Sequence, residues 1–425
     1  MAARSFIRTT GFIAVLLAGY ILAGLGGAMA KSIPVAKNAR LGGGAENTRL
    51  VLELDKPLSF NVFTLANPNR IIIDMPEVNF QMPAGTGVKG HGLVKAFRYG
   101  LFSTGKSRMV IDVAGPVKVA KSFILPATES KPVRLVLDMV QTSQKAFEDH
   151  TASVAARRKA ARLQARRVAA ASLRGSQVPL PRAKPLRLSS KPQRAKTRPV
   201  IVVDPGHGGV DPGASGRRGS REKHLVLAFA KTLAAKLKKT GRYKVYLTRS
   251  KDVFIRLGER VRIANRKNAD LFISIHADSI RKGNIRGATI YTLSEKSSDK
   301  EAAALAAKEN RADIIAGVDL EDAPDELAGI FIDLAQREAK NESIKFAKTT
   351  VGFMRRKVLL NRNPHRYAGF RVLKSPNFPS VLIELGYLSS YKDEAMLNSA
   401  RWRSKSAGAI VQSVNRYFSK RLANR

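Results

Sequence analysis

Two histidines and one glutamate occupy positions from which a metal-assisted hydrolysis can be run. His207 follows the apolar run Val200-Ile-Val-Val203 and the segment Asp204-Pro-Gly206, at the head of a Pro/Gly-rich loop. Four consecutive β-branched residues before a turn cluster predict a buried strand. His207 then stands at that strand's C-terminal end, where open α/β sheets bind their ligands. Glu222 lies fifteen residues further on, just inside a helix predicted over 221–239. Ser220 is a candidate N-cap for it, and Leu225, Phe229, Leu233 and Leu237 recur every four residues. A second apolar run, Leu271-Phe-Ile-Ser-Ile275, delivers His276 at its own C-terminal end. His, Glu and His are the ligand set of a catalytic zinc site, in which three protein ligands leave a fourth position for water.

Each residue also has a plainer reading. A histidine after a Gly-rich turn is often an ordinary loop residue, and a glutamate in a first helical turn complements the helix dipole. The loop carries neither the G-x-G-x-x-G nor the Walker A pattern of a phosphate cradle. What favours metal is the combination, since two of only six histidines fall at equivalent strand ends of one α/β unit. Spacing by itself leaves the metal site and the ordinary loop both open.

Four motifs in order settle on a family. Val203-Asp-Pro-Gly-His-Gly-Gly209, Glu222, Ser274-Ile-His-Ala-Asp278 and Val381-Leu-Ile-Glu-Leu-Gly-Tyr-Leu-Ser389 span most of residues 199–420. In this the chain resembles the zinc-dependent N-acetylmuramoyl-L-alanine amidases of the type-3 catalytic class. Carried over by position, the resemblance implies His207, Glu222 and His276 as zinc ligands and Glu384 as the catalytic carboxylate. It implies hydrolysis of the bond between N-acetylmuramic acid and the L-Ala of the stem peptide in peptidoglycan, with a role in cell-wall remodelling and daughter-cell separation. The physical reading stops earlier, at metal-assisted hydrolysis: zinc brings a bound water toward a pKa of about 7 and polarises a carbonyl, and a carboxylate moves the proton. Glu384 interrupts an otherwise apolar run, where burial is costly without a reason. Its plainer reading is an inward Glu paired with an arginine.

The elements that position these residues form an α/β domain over 199–422, with a largely parallel sheet flanked by helices. Strands are expected at 243–248, 271–275, 287–293, 370–373 and 380–385, and helices at 257–268, 341–359 and 401–421. Asn363-Pro-His-Arg366 has the composition of a turn, and His224, two residues after Glu222, points away from it.

Residues 1–30 have the pattern of a secretory signal peptide: Arg4 and Arg8, an apolar core from Phe12 to Leu25, then Ala28-Met-Ala30. The core is short of the roughly 20 residues that a membrane span needs, and the arginines are unpaired, so Sec-type export to the periplasm is expected. No cysteine occurs, so any zinc must be held by histidine and carboxylate. The formal net charge is +42, from 75 Lys+Arg against 33 Asp+Glu. Such a balance seeks polyanions; an export signal removes nucleic acid as partner and leaves the carboxylate-rich wall and anionic lipid.

Residues 33–140 show short strands at 48–54, 60–63, 70–74, 108–112, 117–120 and 134–138 with no long helical pattern, which predicts a small all-β sandwich. A pattern, Arg-x-[Ile/Val]-[Ile/Val]-Asp, recurs at 70–74 and 108–112, with Arg-Leu-Val-Leu-Asp at 134–138; its plainer reading is that Asp ends strands well. Placed before an amidase domain, the segment resembles the AMIN module, which implies cell-wall targeting. Residues 141–198 form a basic Pro/Ala/Arg-rich linker, with 14 Lys/Arg and no acid from 151 to 198. Its 152–173 part can be helical on an anionic surface, its Pro-rich part extended. It is either a solvated spacer or an electrostatic attachment to wall or membrane surface.

A partly acidic helical insertion at 294–335 breaks the strand–helix alternation. Asp299 to Asn310 favours helix, with Ser298 or Asp299 as cap. Amidases resembling this one with such an insertion are held off until an activator binds, which implies a LytM-type partner. A helix across the cleft could give zinc a carboxylate in its open position; Glu309 is the first candidate and Glu301 the second. The competing readings of the whole chain are a catalytically silent wall-binding protein and an exported polyanion binder.

Overall fold

The computed structural model describes residues 32–175, 198–279, 285–318 and 331–423. The signal sequence, most of the Pro-rich linker and the second part of the insertion lie outside the described residues. No described helix is long and apolar enough to cross a membrane.

The N-terminal half is a β-sandwich of β1 (Val35–Gly43), β2 (Asn47–Leu54), β3 (Asn61–Leu65), β4 (Arg70–Pro76), β5 (Asn79–Phe80), β6 (Val94–Ser103), β7 (Lys106–Val113), β8 (Val117–Leu125) and β9 (Val133–Gln141). One sheet has the order β5-β1-β2-β9-β8, the other β3-β4-β7-β6. Alternation builds the core: Leu50, Leu52 and Leu54 meet Ile71, Ile73, Met109, Ile111, Leu135 and Leu137 between the sheets. β1 and β6 escaped the sequence reading because their apolar residues are diluted by Lys, Asn, Arg and Gly. The helix α1 (Gln144–Gly175) begins directly after β9. Its buried Phe147 and a Thr151–Thr64 hydroxyl contact of 3.0 Å tie its start to the sandwich.

The C-terminal half has one six-stranded sheet, in the order β11 (Lys244–Leu247), β10 (Val200–Pro205), β12 (Leu271–His276), β15 (Ser380–Glu384), β13 (Ala288–Leu293) and β14 (Leu360–Ala368). All pairs are parallel except β13–β15. Its central strands β10, β12 and β15 are buried on both faces because helices cover both. Ile201, Val203, Ile273, Ile275, Val381 and Ile383 pack against α2 (Glu222–Lys239), α6 (Phe331–Arg355) and α8 (Ala400–Ala423), through residues such as Phe229, Phe346 and Ile410. Val202, Phe272 and Leu382 point the other way, toward α3 (Leu257–Arg266) and α4 (Lys300–Glu309). A short helix α5 (Ala312–Ile315) follows α4, and α7 (Tyr391–Asn398) precedes α8.

Four expectations need correction. Phe370 to Leu373 is not a strand but a 3-10 turn at Arg371–Leu373, and the strand lies earlier, in β14. Asn363-Pro-His-Arg366 lies within that strand, at a register irregularity where Ala288 pairs with Leu360 but Ile290 with His365. β14 is an edge strand, and a bulge there tolerates the missing N–H of Pro364. Ser220 does not cap α2; Arg221 occupies the N-cap without a side-chain bond, and the Ser220 amide donates to Glu394 Oε1 at 3.2 Å. The helix expected from 341 already runs from Phe331.

Candidate metal centre

The C-terminal edge of the parallel sheet gathers the chemistry. β10 ends at Pro205, and the chain turns through Gly206 so sharply that His207 takes φ +57. A non-glycine residue held there costs of order 1–3 kcal/mol, which the surroundings must impose. Two buried arginines do so. Arg249 donates to the carbonyls of Pro205, Gly206 and Lys223, and Arg260 to those of Pro205 and His207 and to Asp204. Gly206 is required sterically, because a Cβ would stand 2.3 Å from the His276 ring.

Around this turn four side chains converge. Glu222 Oε1 lies 3.1 Å from His207 Nε2 and 3.2 Å from His276 Nδ1. Glu309 Oε2, from the last residue of α4, lies 3.4 Å from His207 Nε2 and 3.1 Å from His276 Nδ1. The ring planes meet at 76°, with centroids 4.9 Å apart. Both carboxylates and both rings are buried. The second oxygen of Glu222 accepts from the Ala214 amide at 2.8 Å, and Oε1 also accepts from Ala277 at 2.9 Å. His207 Nδ1 meets Asp211 Oδ2 at 2.8 Å, which fixes the ring and directs Nε2 inward.

A metal fits this set. His207 Nε2 and His276 Nδ1 are buried without a hydrogen-bond partner, an expensive condition unless a cation takes their lone pairs. Ligands around tetrahedral zinc at about 2.0–2.1 Å stand roughly 3.3 Å apart, close to the separations here. Among the described residues His207, His276 and Glu309 form a group able to hold a metal ion, with Glu222 against both imidazoles. Burial alone pushes both imidazoles down, but the surrounding carboxylates win: His207 is raised well above its usual value and His276 to about 10. Glu222 is lowered well below the carboxylate range; its burial is outweighed by the two histidines. Such a concentration of anionic ligands around two imidazoles is what a bound dication would neutralise.

Glu384 ends β15 beside His276. It is fully buried; Oε2 accepts from the Asp278 amide at 2.9 Å, and Oε1 has no partner. Burial, reinforced by Glu222, Asp278 and Glu309 against the pull of His276, raises its pKa well above the usual value. No arginine pairs with it in the described hydrogen bonds, unlike its plainer reading. Asp278, likewise raised by burial to about 6, is bonded to Lys308 of α4.

Sequence reasoning singled out five of these residues and missed their supports. Asp211 carried a signal, standing four residues after His207 in the same loop; Arg249 and Arg260 carried none, since they act from other elements on backbone carbonyls. Glu301 lies away from the cluster, facing Arg366 at 3.4 Å. His224 is exposed near Asp252, and His365 faces Thr292, so neither joins the cluster.

Residues 201–416 match the N-acetylmuramoyl-L-alanine amidase family, and residues 38–138 match the AMIN domain. The chain is 31% identical over 382 residues to the N-acetylmuramoyl-L-alanine amidase AmiC of Escherichia coli O6:H1, covering 87% of this chain and 86% of the relative. It is 32% identical over 423 residues to AmiC of Neisseria meningitidis serogroup B, covering 96% of each. The solved catalytic domain of CwlV, an amidase from Bacillus (Paenibacillus) polymyxa var. colistinus, is 28% identical with a TM-score of 0.37, covering 52% of this chain and 98% of that one.

Proposed function

Because the chain belongs to the N-acetylmuramoyl-L-alanine amidase family and is a peptidoglycan amidase, we propose that it cleaves the amide between N-acetylmuramic acid and the stem-peptide L-Ala at a zinc centre held by His207, Glu222 and His276. The observation that carries the reading is the pair of unpartnered, buried imidazole nitrogens facing one Glu222 oxygen. Zinc bound there would supply a water of lowered pKa and a Lewis acid for the scissile carbonyl.

The chain's own residues supply the rest. Asp211 orients the His207 ring, and Arg249 and Arg260 hold the turn that carries it. Glu384, the general base, receives the proton of the attacking water on its unpartnered Oε1 and returns it to the departing amine. Burial raises its pKa, which favours handing that proton on to the amine. The site sits at strand ends.

The place of Glu309 supports reading the site as closed by the insertion. Its carboxylate lies against both histidines, where it would compete with water for a metal that they hold. The insertion thus keeps the enzyme off until a partner, of the LytM activator type, draws α4 away. Export to the periplasm, wall targeting by residues 33–140 and work in daughter-cell separation complete the reading, with the basic linker adding contact to anionic wall or membrane surface. The test is digestion of muropeptides with and without a chelator, products identified by mass. Chelator-resistant cleavage, or cleavage at another bond, would refute the reading.

A further inference from the structure

The repeated Arg-x-[Ile/Val]-[Ile/Val]-Asp pattern has no part in the chemistry above, yet its first two copies meet the insertion that carries Glu309. They lie on neighbouring antiparallel strands, with Arg70 opposite Asp112, Ile72 opposite Val110 and Asp74 opposite Arg108. Alternation sends Ile71, Ile73, Met109 and Ile111 into the sandwich core and turns the other set outward. On that outer face Arg108 grips Asp74 through two bonds of 2.5 and 2.8 Å, and Arg98 of β6 grips Asp112. A solvated sheet face could stop there, its charges cancelled.

Each of the three guanidinium groups instead spends a further donor on the insertion. Arg70 Nη1 donates to the Ile314 carbonyl, Arg98 Nε to Ile315 at 2.7 Å, and Arg108 Nη1 to Gly317 at 2.5 Å and Ala316 at 3.3 Å. Four successive carbonyls at the end of α5 are thereby covered. Helix C-termini leave such carbonyls unsatisfied and partly negative, so cations suit them. Between the arginines, Ile72 and Val110 join Phe63 and Leu65 in one apolar cluster with Ala316 and Val318. Gly317, at φ +67, presses so near that a Cβ would come 2.6 Å from Ile72 Cδ1. The third copy of the pattern lies in the other sheet, where Asp138 pairs with Arg49.

We propose that this strand pair is a latch: the β-sandwich seats the insertion through Arg70, Arg98 and Arg108, and so sets how readily Glu309 leaves the histidines. The inference rests on the reading of Glu309 as the group that closes the site. It gives the N-terminal domain a second task, because separating its β4–β7 face from α5 removes one restraint on α4, beside the Lys308–Asp278 bond.

The test uses the full chain stripped of metal by a chelator, with hydrogen exchange as readout. In Arg70→Gln/Arg98→Gln the amides of residues 300–318 should exchange at least about tenfold faster, while those of β4 and β7 keep their protection. Arg134→Gln, in the third copy, should change neither. Should the double variant not fold, Arg98→Gln alone, with a side chain 19% exposed, should still give about a threefold effect. Unchanged exchange at 300–318 overturns the latch, and so does equal loosening of β4 and β7, which would make the arginines mere supports of the sandwich. Basal muropeptide hydrolysis of the zinc-loaded variants separates the two readings. Faster exchange with raised hydrolysis upholds both; faster exchange without it upholds the latch and removes Glu309 as the block.

Discussion

His276 and Glu384 face each other across the parallel β12–β15 ladder, each the last residue of its strand. Parallel neighbours in register point the same way at the same level, about 4.8 Å apart. A proposed metal ligand and a proposed base are thus fixed side by side by backbone hydrogen bonds alone. Neither position depends on a flexible loop, and the proton acceptor is set relative to the metal before any substrate arrives.

Glu384→Gln should fold, keep its zinc and lose hydrolysis by roughly 100- to 10,000-fold, because a base is removed and no ligand. Metal content and turnover measured on the same preparation check it. Retention of a third of wild-type turnover would show that Glu384 is not the base.

Metal affinity should follow the shell structure. His207→Ala and His276→Ala should lose stoichiometric zinc, whereas Asp211→Asn, which only orients His207, should weaken binding by about 10- to 100-fold. Competition with a chromophoric chelator measures all three. Equal affinities for wild type and Asp211→Asn would count against the orienting role.

Glu309→Ala should raise basal muropeptide hydrolysis without a partner protein, by up to about a hundredfold, equivalent to about 2.7 kcal/mol of competition for one position. Glu301→Ala, removed from the cluster and facing Arg366, should leave it unchanged. If both variants behave like wild type, the closed-state reading fails.

Asp204 is fully buried and bonded to Arg260 at 2.9 Å, Thr248 at 2.5 Å and Ser274 at 2.8 Å. Burial would raise its pKa, but Arg260 and the two hydroxyls outweigh it, so the folded value lies below the usual one. A depressed carboxyl stabilises the fold above its unfolded pKa of about 3.9, and that stability is lost as pH falls through the folded value. Asp204→Asn should therefore cost about 3–5 kcal/mol at pH 7 by stranding Arg260. The gap to wild type should narrow on acidification below about pH 4. Urea unfolding at pH 7 and pH 3.5 measures this; a gap that is constant or grows would refute the assignment.

Local pattern in the sequence was enough for the elements that carry the site. The β-branched run before Asp204, the four-residue recurrence after Glu222 and the apolar run before His276 each encode one strand or helix, with the chemical residue at its end. Periodicity is a local signal and survives in one dimension. The edge strand β14 was not legible, because Pro364 and its polar neighbours read as a turn until a sheet edge accommodates them as a bulge. Nor were β1 and β6, whose weak alternation is completed by partner strands distant in sequence.

The sequence could name His207, Glu222, His276 and Glu384 as candidates, but could not say that two imidazole nitrogens would be left without partners around one carboxylate oxygen. It could propose Glu309 over Glu301 only by position; packing of α4 brings Glu309 against the histidines and turns Glu301 to Arg366. The Arg-x-[Ile/Val]-[Ile/Val]-Asp repeat was visible as letters, while the partners of its Arg70 and Arg108, the carbonyls of 314, 316 and 317, lie more than 200 residues away in the chain. Backbone carbonyls have no letter of their own. Which arginine meets which carbonyl is decided only when the β4–β7 face and the end of α5 come together in three dimensions.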